Sequence, residues 1–359
     1  MARDPLELIR TDLRQLPAYT PGEQVRDCIK LNTNESAVPP SPAVQAALRQ
    51  LSLEDDRLRL YPQPLADDLR QAATQRYGVD ADRILAGNGS DDCLTILFRS
   101  PCQAGDRYAC PWPTYSLYDT LAGIQGVEPV HLPWRDWQHD DWGLPIGLTE
   151  SGAKLVFVAN PNNPSATRVP TQALRHLADQ LDGLLVVDEA YVDFALGEDA
   201  DASMLPYLEA HPNLVVLRTF SKSASLAGAR LGLLFAHPAL IERYQAVKDS
   251  YNVNAISQAL GIAALQDVDH QRQLVATTLK ERRRLEEGLA RHGWTWPPSA
   301  ANFLLCSVGP TARDIYRGLK ERGILVRFFD RPGLDTRLRI TVGAAAENQA
   351  LLTVLDELL

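Results

Sequence analysis

The sequence predicts an α/β fold, with a large domain built on a mostly parallel central sheet and a smaller α+β domain beside it. Three observations carry that expectation. At 359 residues the chain is longer than one simple core usually accommodates, so one large and one small domain with a cleft between them is the natural division. From about residue 80 to residue 236, short β-branched and aliphatic runs alternate with helical stretches, the pattern of a parallel sheet covered on both faces. After about residue 255 the alternation gives way to a long charged helix followed by short strands and helices.

Taken in order, the N-terminal segment, with PLELIRTDL and LPAYTPGE, is too short to fold alone and is expected to pack on the second domain or across the cleft. Strands are predicted at ILAG (84–87), DRYAC (106–110), KLVFVAN (154–160), LLVVDEA (184–190), NLVVLRTF (213–220) and LGLLFA (231–236). Between them, TQALRHLADQL (171–181) sets apolar residues at helical spacing, as a crossover helix requires. The smaller domain reads as a helix over about 267–292, a strand at NFLLCSV, a helix from Ala312 to Arg322, strands at ILVRFF and LRITVG, and a terminal helix. The expected boundaries are an arm over 1–34, a large domain over 35–255 and a small domain over 256–359. Two polar stretches are read plainly: WRDWQHDDW (134–142) as a surface loop without metal-ligand spacing, and ERRRLEE (281–287) as a solvated helix face.

Composition narrows the function. With 45% hydrophobic and 23% charged residues, the chain can bury a full core and is neither disordered nor collagen-like. A net charge of -9 offers no basic face for nucleic acid. No run of about 18 apolar residues suits a membrane span, and MARDPLELIR lacks the apolar centre of a signal peptide, so a cytoplasmic protein is expected. The five cysteines (Cys28, Cys93, Cys102, Cys110, Cys306) are scattered without CxxC spacing, which argues against a disulfide framework or a zinc site.

Ligands of α/β sheets bind beyond the carboxyl ends of the strands, so polar residues just past the predicted strands are the candidates. After ILAG comes NGSDD, where Gly87 and Gly89 permit a tight turn and Ser90, Asp91 and Asp92 open a helix. Free N–H groups and the helix dipole there suit a phosphate, although Ser or Asp at such a place also serves as an N-cap. The G-x-G-x-x-G spacing of dinucleotide sites is absent. NPNNPSA (160–166) reads by itself as a turn. VVDEAY sets Asp188 at the end of an apolar strand, where a carboxylate needs a charged or donating partner; capping a neighbouring helix is the plainer use. RTFSKSASLAGARLG (218–232) carries Lys222 past a strand at the same edge, either as a solvated charge or, desolvated in a cleft, as a nucleophile.

Taken together, LNTNES (31–36), GNGSDD, PWPTYSLY, NPNNPSA, VVDEAYVDF, RTFSKSASLAGARLG and LRITVG (338–343) resemble the fold type I aminotransferases of the aspartate aminotransferase superfamily. Within it, the chain looks most like the histidinol-phosphate aminotransferases. The resemblance spans nearly the whole sequence as an ordered series of motifs. It implies a fold type I transferase dependent on pyridoxal 5'-phosphate, with 35–255 as the cofactor-binding domain, a homodimer, and small-molecule substrates that include glutamate and 2-oxoglutarate.

The same resemblance implies roles. Lys222 is the Schiff-base lysine and the general base at the substrate Cα. Asp188 faces the pyridine nitrogen, Asn163 and Tyr191 bond the phenolic oxygen, and Tyr115 stacks on the ring. Ser90 and Asp91, with Asp92 beside them, hold the cofactor phosphate; Thr219, Ser221 and Arg230 close that cup. Tyr61 reaches the cofactor of a neighbouring subunit. Arg339 grips the substrate α-carboxylate, and Tyr19 and Arg327 contact the substrate's own phosphate, with Asn302 lining the same pocket.

The departures are the Ser-Ala after NPNNP, Asp92 where Glu is typical, and Ser223 and Ser225 beside Lys222. They leave an aromatic aminotransferase and a threonine-phosphate decarboxylase as alternatives on the same scaffold. A silent binding module ranks lower, because Lys222, Asp188 and Arg230 are all present.

Overall fold

The computed structural model describes residues 4–14, 16, 22–53 and 58–359. In chain order the elements are β1 (Ile29–Lys30), α1 (Pro42–Leu53), α2 (Asp67–Tyr77), β2 (Ile84–Gly87), α3 (Ser90–Arg99), β3 (Arg107–Trp112), α4 (Leu117–Gln125) and β4 (Glu128–Pro133). Then come β5 (Leu155–Ala159), α5 (Thr171–Gln180), β6 (Leu184–Asp188), α6 (Val192–Leu196), β7 (Leu214–Thr219), β8 (Gly232–Phe235), α7 (Pro238–Val247) and α8 (Ala255–Gln266). The chain ends with α9 (Val268–Ala290), β9 (Phe303–Ser307), α10 (Ala312–Glu321), β10 (Ile324–Leu325), β11 (Arg327–Phe328), β12 (Arg337–Thr341) and α11 (Ala345–Leu358).

Seven strands form one sheet in the order β2-β8-β7-β6-β5-β3-β4. Only β8 runs against the rest, antiparallel to both β2 and β7, and the remaining pairs are parallel. Antiparallel neighbours can be joined by a loop, whereas parallel ones need a crossover. The link from β7 to β8 is accordingly a loop, residues 220–231, and it keeps Lys222 at the carboxyl end of β7.

Side-chain alternation shows why the strands read as continuous apolar runs. Val156, Val158, Leu185, Val187, Leu214 and Val216 join one core with α2, α5 and α8. Leu155, Phe157, Val186, Val215 and Leu217 join a second core with α3, α4 and α7. Both faces are covered, so each such residue is buried at a gain of roughly 1.5–3 kcal/mol, and a charge at Val158 or Phe157 would break a core.

The C-terminal part builds its own antiparallel sheet, β11-β12-β9. Leu285, Leu289, Ile315, Leu319, Leu351 and Leu355 from α9, α10 and α11 pack with it. The N-terminal segment joins here: β1 pairs parallel with β10, Ile29 opposite Ile324 and Lys30 opposite Leu325, and Leu31 is buried in the same core. Helix α8 instead packs on α1 and α2, with Leu260 and Leu265 in the large core. None of the helices among the described residues is long and apolar enough to cross a membrane.

One strand is added and two expectations are corrected. Strand β4 was not predicted; it pairs with β3 at the sheet edge, and its half-polar sequence EPVHLP, with Pro129 and Pro133 within it, suits an edge strand. The stretch 134–142 is not simply a surface loop. Asp136 and Asp141 pair as an antiparallel bridge, which turns Trp134 and Trp142 into the core, where Trp134 Nε1 donates to the Pro113 carbonyl at 3.0 Å. The run 281–287 is not uniformly solvated either. Arg282 is buried, donates to both carboxylate oxygens of Glu198 at 2.9 and 2.8 Å, and bonds the Ala301 carbonyl at 3.0 Å.

Candidate active site

A cleft of about 640 Å³ opens at the carboxyl ends of the large sheet's strands, between that sheet and residues of β11 and β12. Lys222 enters it from the 220–231 loop. Its Nζ donates to the Thr33 carbonyl at 3.1 Å and lies 5.5 Å from the centroid of the Tyr191 ring. Burial, then the charges of Arg339 and Arg230, lower the ammonium from 10.5 to about 8, against the opposing pull of Glu35 and Asp91. The loop is anchored on both sides of the lysine. Thr219 Oγ1 accepts from the Ser221 N–H at 3.2 Å, and Ser225, at φ 56°, donates its hydroxyl to the Val38 carbonyl at 2.6 Å.

Asp188 ends β6 and lines the same cleft, 6% exposed. Its Oδ1 accepts the Ala190 N–H at 3.1 Å and its Oδ2 the Tyr118 hydroxyl at 2.8 Å. Burial drives its carboxyl from 3.8 up to about 6 in spite of those two bonds. Among the described residues no cation stands at ion-pair distance from it, so the carboxylate is buried without the countercharge such a group requires.

The start of α3 makes an anion cradle. Gly89 sits at φ 87°, a conformation that favours glycine, and a Cβ there would meet Arg230 Nη2 at 2.7 Å. Gly232 is equally constrained, since a Cβ would stand 2.4 Å from the Ser90 nitrogen. These two close approaches bring the first N–H groups of α3, the Arg230 guanidinium, Thr219 and Ser221 to one corner of the cleft. Arg230 Nη2 lies 3.0 Å from Asp91 Oδ2, and the Tyr115 hydroxyl donates to Asp91 Oδ1 at 3.3 Å. Asp92 is not part of this corner. Its carboxylate turns away to accept from the Asn88 N–H and from Asn252 Nδ2, both at 2.9 Å, which makes it a brace of the turn rather than a cofactor contact.

From the other lobe, Arg339 reaches in from β12. Its Nη1 donates to Asn163 Oδ1 at 2.5 Å and its Nη2 to the Asn32 carbonyl at 2.6 Å. Arg327 pairs with Arg339 across β11 and β12 and lines the cleft as well. Tyr191 is buried, and its hydroxyl accepts from Asn34 Nδ2 at 3.0 Å. Tyr61 lies outside the cleft, 80% exposed and stacked on Tyr251 with ring centroids 4.5 Å apart. Tyr19 lies outside the described residues.

Several residues of the site were not singled out from the sequence. Asn34 is buried at φ 55°, bonds Tyr191, accepts from Thr341 Oγ1 at 3.0 Å and receives Asn302 Nδ2 on its carbonyl at 3.2 Å. Tyr118 and Thr33 were likewise passed over, although the motifs PWPTYSLY and LNTNES contain them.

A desolvated lysine and a buried carboxylate in one cleft, beside an anion cradle, define a fold type I enzyme dependent on pyridoxal phosphate. The residues fit that cofactor: Asp188 lacks the cationic partner that a ring N–H supplies, and the Gly89 turn and Arg230 suit its phosphate. The chain belongs to the aminotransferase class I and II family, whose sequence model matches residues 26–358. It is 42% identical over 353 residues to the histidinol-phosphate aminotransferase of a Synechocystis species, covering 98% of each chain. It is 39% identical over 355 residues to histidinol-phosphate aminotransferase 1 of a Nostoc species, again covering 98% of each. Among solved structures, the histidinol-phosphate aminotransferase of Sinorhizobium meliloti in complex with pyridoxal-5'-phosphate superposes with a TM-score of 0.84 at 29% identity over 92% of each chain.

Proposed function

We propose that this protein transfers the amino group of L-glutamate to imidazole-acetol phosphate, giving 2-oxoglutarate and L-histidinol phosphate in histidine biosynthesis. The observation that carries this reading is the convergence of Lys222, Asp188, Arg327 and Arg339 on one cleft in a chain whose relatives bear that name. When bound, pyridoxal phosphate supplies an electron sink for the charge left on the substrate Cα. Lys222 holds the cofactor and moves the proton at Cα. Its amine, lowered to about 8, is a better proton acceptor near neutrality than an ordinary lysine. Asp188 keeps a proton on the ring nitrogen by offering a buried carboxylate, braced by Tyr118 and the Ala190 N–H.

Asn163 and Tyr191 bond the ring's phenolic oxygen. Asn163 has its carbonyl oxygen engaged by Arg339, which turns its amide N–H groups to donate, and Tyr191 receives Asn34, which aims its own proton outward. Tyr115 covers the ring face. Ser90, Asp91, Thr219, Ser221 and Arg230 hold the cofactor phosphate. Arg339 takes the α-carboxylate of glutamate, and Arg327 with Tyr19 takes the substrate phosphate.

We further propose a cytoplasmic homodimer in which Tyr61 serves the neighbouring subunit, supported by the exposed Leu58, Leu60, Tyr61 and Tyr251 on one stretch of surface. The large domain is best taken to run through α8, because that helix packs on α1 and α2, and the small domain to start with α9. A coupled assay of the purified protein with histidinol phosphate and 2-oxoglutarate tests the function. Formation of glutamate at a rate dependent on both substrates supports it, and a protein that transaminates only unphosphorylated amino acids refutes it.

A further inference from the structure

The bridged stretch 134–142 takes no part in the reaction described above, yet it touches the strand that carries Arg339. The ladders of β12 to β9 and β11 hold that strand within the small domain and do not set its place against the large sheet. Arg337 and Arg339 stand two residues apart on β12, so both side chains leave the same face, roughly 7 Å apart along the strand. That face is turned to the large domain, where Arg339 meets Asn163 and Arg337 meets Asp140.

Arg337 is 5% exposed. Its Nη1 donates to Asp140 Oδ1 at 2.8 Å and its Nη2 to the Gln138 carbonyl at 3.3 Å. Among the described residues Asp140 is the one carboxylate at ion-pair distance from it, and a buried guanidinium is tolerated only while such a partner stays in place. The backbone holds Asp140 there. At φ 63° its N–H donates to the Trp137 carbonyl at 3.2 Å, and the next residue, Asp141, exchanges both backbone bonds with Asp136, at 3.0 and 3.1 Å.

A second contact lies just before Arg337. The Trp137 ring is so close over Gly333 that a Cβ there would meet Cη2 at 2.5 Å, and Leu334 shares the large core with Trp134 and Trp142. The Arg337 N–H donates to the Leu334 carbonyl at 3.0 Å, which joins the two contacts into one unit of turn and strand. A ligand treats the two guanidiniums differently. Arg339 lines the cleft and has to share its fork among Asn163, Asn32 and an acid group of the substrate. Arg337 is not part of the cleft wall, so its pair with Asp140 stays whole while the ligand binds.

We infer that Arg337 is a positioning residue: its ion pair with Asp140 sets β12 against the large domain and so holds Arg339 within reach of the substrate's acid group. This rests on the reading of Arg339 as the residue that takes the α-carboxylate of glutamate.

The test uses the cofactor-loaded enzyme. Asp140→Gly drops the carboxylate and accepts φ 63°, and Arg337→Met replaces the guanidinium by an apolar chain. Each should raise KM for glutamate roughly three- to tenfold, with kcat and the affinity for pyridoxal phosphate close to wild type. The double variant should be no worse than the poorer single one, because both remove the same pair. Asp140→Asn, which keeps the acceptor and suits that φ, should recover part of the loss. Arg339→Ala is the reference and should raise KM for glutamate further than either. A wild-type KM in both single variants, with Arg339→Ala still raising it, would overturn the inference and leave the role of Arg339 standing. So would a loss of cofactor affinity in step with the rise in KM, the mark of a general loosening. An unchanged KM in Arg339→Ala would overturn the role of Arg339 and the inference together.

Discussion

The Tyr118 hydroxyl donates to Asp188 Oδ2 over 2.8 Å, tying the first turn of α4 to the carboxyl end of β6. With the Ala190 N–H on the other oxygen, two neutral donors serve a carboxylate that burial pushes up to about 6. Holding an acid there carries a free-energy cost, which the proposed role of Asp188 opposite a cationic ring would offset.

That cost gives Asp188→Asn two opposite effects. In the folded, cofactor-free protein Asp188 keeps its proton to about pH 6, whereas the unfolded chain loses it near 3.8. Between those values the folded state binds more protons, so stability falls as pH rises through that window and the whole loss is present at pH 7. Cofactor-free Asp188→Asn should be more stable than wild type at pH 7 by about 1–3 kcal/mol in denaturant unfolding. It should also transaminate on the order of a hundredfold more slowly. Unchanged stability with near-normal turnover would make Asp188 a helix cap only.

Asn34 tests the network behind Tyr191. Asn34→Ala places a Cβ-bearing residue without local hydrogen bonding at φ 55° and strips partners from Tyr191 and Thr341. The expected loss is about 2–4 kcal/mol of unfolding free energy, with Asn34→Gly losing roughly 1 kcal/mol less because it accepts that φ. Equal losses in the two variants would show that the backbone conformation carries no strain.

The motifs made the parallel core and the lysine-bearing loop legible, because buried parallel strands are apolar throughout and their polar ends stand out. Edge strand β4 escaped because EPVHLP buries little and holds two prolines. Trp134, Trp142 and Arg282 were misread for one reason: their neighbours are polar, and only the bridge at Asp136 and Asp141 and the approach of Glu198 turn them inward. Asn34 and Thr341 meet across 307 residues, a contact no local pattern announces. Asp92 was counted among the cofactor contacts by its place in GSDD, whereas Asn88 and Asn252 draw its carboxylate away.

Tyr61 gives a test of subunit sharing. If its exposed ring serves the partner's site, an inactive Lys222→Ala protein mixed with a crippled Tyr61→Ala protein should recover up to about a quarter of wild-type activity, since half of the dimers are hybrids and each hybrid holds one intact site. Absence of recovery despite demonstrated subunit exchange would place Tyr61 in its own subunit's surface.

Arg327→Ala should reduce kcat/KM for histidinol phosphate by roughly ten- to a hundredfold, the worth of a charge-assisted contact of about 1.5–3 kcal/mol, while phenylalanine turnover falls less. Equal losses with the two substrates would reduce Arg327 to a structural role.

The most direct test of the account is cofactor capture by Lys222 as a function of pH. With the amine lowered to about 8, uptake of pyridoxal phosphate by the cofactor-free protein should quicken with rising pH, about tenfold per unit, and level off above pH 8. Borohydride reduction should then fix the cofactor on the peptide that carries Lys222. An uptake rate that climbs without a plateau towards the 10.5 of an ordinary lysine, or a label on any other peptide, would contradict it.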